Sequence, residues 1–125
     1  MLFNASVSAT LPASDIGRAK KFYQETLGLN VAKESPGGIK FDCGNGTYLY
    51  LYPSGFAGTN QATAAEWSVA NIESEMAELR AKGVTFEEYD LPGLKTENGI
   101  ANFDGEKAAW FKDSEGNILA LSQSS

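Results

Sequence analysis

The chain has 125 residues, ten basic and sixteen acidic side chains for a formal charge of −6, a single cysteine and no histidine. That length fits one domain with a real core, and the acidic balance repels phosphate backbones, so nucleic acid is not an expected partner. Without histidine, Ser/His/Asp and Cys/His nucleophile machinery is excluded, and no apolar run approaches the length of a membrane span.

Residues Phe3 to Leu11 alternate, with Ala5, Val7, Ala9 and Leu11 on one side and Ser6, Ser8 and Thr10 on the other, which predicts a first strand. Met1 to Ser6 has neither a basic leader nor a long apolar run. Together with the lone Cys43, which can form no intrachain disulfide, this makes a cytoplasmic location the expectation. Asp15 or Ser14 then caps a helix whose inner face is Ile16, Ala19, Phe22, Tyr23 and Leu27, stopped by Gly28. Three strands follow over Leu29 to Glu34, Ile39 to Cys43 and Thr47 to Tyr52, joined by turns at Pro36-Gly37-Gly38 and Gly44-Asn45-Gly46. Cys43 reads as a small packing residue, with a cavity wall as its other assignment.

Residues 1–53 therefore form one βαβββ module, and the Gly/Ser/Thr/Ala-rich stretch 54–64 is a connector. Residues 65–125 repeat the order. Ala65, Trp67 and Val69 alternate in a strand, and Asn71 caps a helix with inner face Ile72, Met76 and Leu79, ended by Lys82-Gly83. Strands are predicted over Val84 to Tyr89, Ile100 to Phe103, Ala108 to Lys112 and Ile118 to Ser122, the last two joined by the turn Asp113 to Asn117. The aperiodic stretch Asp90 to Asn98 predicts a loop able to act as a lid over a site. The two helix starts, Ile16 and Ile72, stand close to half the chain length apart, as an internal duplication requires. The expected fold is α+β, two tandem βαβββ modules in one domain forming a concave cup.

Ser14-Asp15-Ile16 followed by Phe22-Tyr23 and Leu27-Gly28-Leu29, with the hairpin Trp110 to Leu119 and the duplicated modules, resembles the vicinal oxygen chelate superfamily. That superfamily includes glyoxalase I, extradiol dioxygenases, fosfomycin resistance enzymes and bleomycin resistance proteins. The resemblance spans almost the whole chain and implies their fold. Its metal enzymes place a ligand at four strand positions, which correspond here to Ser8, Tyr50, Ala64 and Ala120. None is an ordinary transition-metal ligand, so the resemblance carries over the fold and not the metal, and neither a metal nor a cofactor is expected.

Tyr48, Tyr50 and Tyr52 make one strand face wholly phenolic, suited either to stacking a planar ligand or to a dimer interface. Trp110 pairs with the neighbourhood of Ala120 and is expected to point into the cup, as a stacking surface or as filler. Trp67 shares the parity of Ala65 and Val69 and belongs to the core. Glu66 reads as a recognition carboxylate for a cationic group or as a solvated strand charge. The ligand-binding set is therefore Ser8, Tyr48, Tyr50, Tyr52, Glu66, Trp110 and Ala120, with no catalytic residue assigned. The expected function is metal-independent binding of an aromatic or cationic small molecule by a homodimer of the bleomycin-resistance type. The alternative is a glyoxalase-like lyase or isomerase holding a divalent metal through Glu66, Asp42 or Asp104.

Overall fold

In the computed structural model, which describes residues 1–125, the backbone is two sheets with one helix packed on each. The first contains β1 (Ala9–Ala13), β2 (Asn30–Ser35), β3 (Gly38–Asp42) and β4 (Tyr48–Pro53), in the order β1-β4-β3-β2. The second contains β5 (Thr63–Ser68), β6 (Asp90–Leu91), β7 (Leu94–Glu97), β8 (Ile100–Phe103), β9 (Glu106–Lys112) and β10 (Ile118–Gln123), in the order β5-β10-β9-β8-β7-β6. In each sheet the first strand lies parallel to the last, β1 on β4 and β5 on β10, and the other pairs are antiparallel. The shared order is what a duplicated unit produces.

Helix α1 (Ile16–Lys21) starts at Asp15, whose carboxylate accepts the Arg18 backbone N–H, and runs on as a π-helical turn over Phe22–Thr26. Helix α2 (Ile72–Ala81) starts at Asn71, which accepts the Ser74 N–H in the same way. Each cap satisfies a donor that the first helical turn leaves free. Ala19 and Tyr23 from the first helix and Ile72 and Met76 from the second are buried against Leu11, Phe41, Leu49, Leu51, Phe111 and Leu119 in one continuous core. Trp67 packs against this core, as its parity requires. No helix is long and apolar enough to cross a membrane.

The hairpin between β9 and β10 ties the second sheet to the first helix. Glu115 receives hydrogen bonds from the Ser14 hydroxyl (3.1 Å), the Asp15 backbone N–H (2.9 Å), Arg18 Nε (2.8 Å) and Nη2 (3.1 Å), and the Ser114 hydroxyl (2.8 Å). Beside it, the buried Tyr23 hydroxyl donates to Asp113 (2.6 Å), and Asn117 Nδ2 donates to both Asp113 (2.9 Å) and the Pro12 carbonyl (2.8 Å). Gly58, in the stretch joining the sheets, donates its N–H to Asn117 Oδ1 (3.3 Å) and lies so close to the turn that a Cβ there would stand 2.6 Å from the Glu115 carbonyl oxygen. Only glycine fits that approach.

Three elements differ from the sequence expectation. The first strand begins at Ala9 rather than Phe3, and Val7 is 90% exposed. Ala9 pairs with Leu49, near the start of β4, so the residues before Ser8 have no partner strand however well they alternate. Val84 to Tyr89 forms no strand, only an isolated bridge from Phe86 to Phe111, further along β9 than the residues that pair with β8. The expected lid is instead the hairpin β6–β7, built onto β8 through Thr96–Ala101 and Glu97–Ile100 pairs. The Thr96 hydroxyl, nearly buried, donates to Glu88 (2.6 Å) and accepts the Tyr89 N–H (2.8 Å).

Candidate ligand-binding site

The odd residues of β4, Leu49 and Leu51, are buried towards α1, so Tyr48, Tyr50 and Tyr52 stand half-buried on the opposite face of the sheet. That face continues sideways in a cross-strand row, Thr10, Tyr50, Lys40 and Lys33. In the second sheet the matching row is Glu66, Ala120 and Trp110. Two cavities of about 380 Å³ each open near the end of β1 and share Ser8 and Tyr48.

The first lies where the sheets part. Ser8, Tyr48 and Glu66 line it together with Cys43, Asn45 and Trp67. The 3-10 turn Gly44–Gly46, with Asn45 in the left-handed region at φ 57°, shapes one wall. Burial, with the charge of Asp42, pushes the Cys43 thiol above its ordinary pKa; hydrogen bonding involving Trp67 and the Leu49 backbone works the other way. Cys43 thus forms part of the wall as a neutral thiol. The second cavity lies against the face of the first sheet and is lined by Ser8, Thr10, Lys33, Ser35, Lys40, Tyr48 and Tyr50.

Tyr50 owes its position to the turn before β3. A Cβ on Gly38 would stand 2.8 Å from Tyr50 Cζ and 2.1 Å from the Leu51 carbonyl oxygen, and one on Gly37 would stand 3.1 Å from the Tyr50 hydroxyl. The two glycines thus act as a seat for the phenol ring. Lys40 Nζ lies 4.1 Å from the centroid of the Tyr48 ring, a cation–π contact that fixes the second phenol.

Of the residues expected at the site, Ser8, Tyr48, Tyr50 and Glu66 line these two cavities. Tyr52 lines neither. Trp110 lies on the other sheet, where its Nε1–H donates to the Thr63 hydroxyl (3.1 Å) and its ring meets Tyr89 edge-on at 5.6 Å. Ala120 pairs with Trp110 as expected but is 1% exposed, which leaves it little surface to offer a ligand. Thr10, Lys33, Ser35 and Lys40 line the second cavity without having been singled out by sequence. The signal for Lys40 is its alternation with Ile39 and Phe41 beside the phenolic strand.

The resemblance assigns the superfamily's four metal positions to Ser8, Tyr50, Ala64 and Ala120, and nowhere in the structure do three His, Cys, Asp or Glu side chains come together. This donor set does not fit a transition metal.

The sequence matches the family described as "Bleomycin resistance protein-like N-terminal" over residues 6–41. No curated protein matches it. Among solved structures it is similar to UcmS2, at 22% identity and a TM-score of 0.78 over 98% of this chain and 100% of the other. It is also similar to TnmS3, an antibiotic binding protein from Streptomyces sp. CB03234, at 24% identity and a TM-score of 0.74 over 98% and 99%. A glyoxalase/bleomycin resistance protein from the same source gives 25% identity and a TM-score of 0.67 over 91% and 96%. The fold is that of the glyoxalase/bleomycin resistance proteins, and the resemblance to the vicinal oxygen chelate superfamily agrees with these matches.

Proposed function

We propose that this chain is a small-molecule binding protein that sequesters a planar aromatic compound without the help of a metal. The observation that carries this reading is the pair of phenols: Tyr48 lines both adjoining cavities, and Tyr50 lines the one on the face of the first sheet. Aromatic faces beside a few polar groups are the usual lining of a small-molecule site. The structural likeness to an antibiotic binding protein points the same way. Glu66 is the one carboxylate in the first cavity and suits a cationic substituent there. Trp110 and Tyr52, outside both cavities, join the site only if the ligand or a second subunit bridges the two sheets.

A glyoxalase-like lyase or isomerase would need a Lewis acid to polarise its substrate. The alternative donors lie on separate elements, Asp42 on β3, Glu66 on β5 and Asp104 in the turn after β8, and form no cluster. The binding reading is therefore preferred.

A homodimer is part of the proposal. Leu2, Phe3, Val7 and Phe56 are large apolar side chains exposed to solvent, and burying them is a driving force for pairing. The test of function is a thermal-shift screen of planar antibiotics, catechols and thiol conjugates in the presence of a chelator. A saturable rise in melting temperature with a planar aromatic compound supports the reading, since ligand binding to the native state raises apparent stability. Stabilisation only after a divalent metal is added back would contradict it.

A further inference from the structure

The second cavity has an unusual chemistry for a chain of formal charge −6. Its lining offers two ammonium groups, Lys33 and Lys40, three aliphatic hydroxyls, Ser8, Thr10 and Ser35, and the phenols Tyr48 and Tyr50. Every one of these side chains ends in a group able to donate a hydrogen bond, and none is a carboxylate.

Lys33 and Lys40 stand directly opposite each other on β2 and β3. Like charges in that position destabilise a sheet. Neither belongs to any of the four ion pairs in the molecule. Glu34, next in sequence to Lys33, pairs with Lys20 of the helix, and Asp42, two residues along β3 from Lys40, is exposed and does not line the cavity.

The juxtaposition depends on a bulge. The β2–β3 register shifts between Val31 and Lys33, and without it Ala32 would face Lys40 while Lys33 would fall opposite Ile39, on the helix side. The inserted residue turns the second ammonium group onto the cavity face. A bulge that re-aims one side chain at a local cost in pairing is a feature often found beside binding sites.

We infer that this cavity receives the anionic group of the ligand, so that the compound bound is an aromatic acid. Its carboxylate is held by Lys33 and Lys40 with hydroxyl donors around it, and its ring lies against Tyr48 and Tyr50. The inference rests on the ligand-binding reading above and adds the sign of the ligand's charge, opposite to the one Glu66 alone suggests.

Isothermal titration of the full chain with 2-naphthoate, its uncharged isostere 2-naphthamide and the cation 2-naphthylmethylamine tests it. Naphthoate is expected to bind roughly five- to tenfold more tightly than naphthamide, the gain of a charge-assisted hydrogen bond, and to weaken as salt is raised. Lys33→Gln and Lys40→Gln should each abolish most of that preference, and Lys40→Gln should also weaken naphthamide, because the Lys40 ammonium fixes the Tyr48 ring. Lys33→Gln should also raise the melting temperature, because it removes the facing like charge. Equal affinity for naphthoate and naphthamide, or tighter binding of the amine, would overturn the anionic assignment alone. If none of the three probes binds, the ligand-binding reading falls with it.

Discussion

Glu115 belongs to the turn between β9 and β10, yet its carboxylate serves the start of the first helix nearly a hundred residues away. Burial works against its ionised form, but the hydrogen bonds from Arg18, the Asp15 backbone, Ser114 and Ser14 outweigh that and hold its pKa at about 2. A folded value below the ordinary 4.5 stabilises the native state above that pH, and the contribution is lost as pH falls through about 2. The shift corresponds to about 3 kcal/mol. Glu115→Gln should therefore be clearly less stable than wild type in urea denaturation at pH 7, and the gap should narrow between pH 4.5 and 2. Tyr23 presents the complementary case: burial, then the neighbouring Asp113 charge and hydrogen bond, drive its hydroxyl pKa upward, so it stays a neutral donor. Tyr23→Phe should cost about 1–3 kcal/mol, read from the denaturation midpoint, because a buried acceptor on Asp113 loses a partner. At the site itself, Tyr50→Ala should weaken binding of a planar ligand by about 1–2 kcal/mol in titration calorimetry with little loss of fold, since the ring is only half-buried.

The β6–β7 hairpin is where chain pattern and structure part most clearly. Thr96, Glu88 and the backbone of Tyr89 and Gly99 form a closed set of hydrogen bonds that fixes it to the sheet. Amide exchange at Thr96 and Gly99 should accordingly be slow compared with that at Leu91 or Gly93, and fast exchange across the whole segment would restore the lid. Both helices were legible because a cap, an apolar period and a terminal glycine act locally. The strand boundaries were less so, because alternation reports a strand's faces and says nothing of its partner; Val7 alternates correctly and pairs with nothing. The turn at Asp113 to Asn117 was equally plain, but where its carboxylates reach is decided by tertiary approach. The cavity was half visible for the same reason. Tyr48 and Tyr50 declare themselves by alternation, whereas Lys33 reaches the cavity only through a bulge that no periodicity announces. Gly38 read as a turn residue and proved also to be the seat of Tyr50. Gly38→Ala should destabilise the chain by about 1–3 kcal/mol through overpacking against the Leu51 carbonyl.

Two sheets of shared strand order, clipped together by Glu115 and Asn117 and parted beside Ser8, leave phenols, hydroxyls and ammonium groups on one surface. In the proposed metal-independent binding mode, affinity comes from stacking on these phenols and from hydrogen bonding. The proposed pairing of two chains would bury the exposed Leu2, Phe3 and Val7, and light scattering at micromolar concentration should return twice the 13.4 kDa of one chain. The most direct test of the binding account is backbone-amide NMR of the protein in chelator, titrated with a planar aromatic acid. Saturable shifts should concentrate at residues 8–10, 33–40 and 48–50. No saturable shift, or shifts confined to the far edge at β6 and β7, would contradict it.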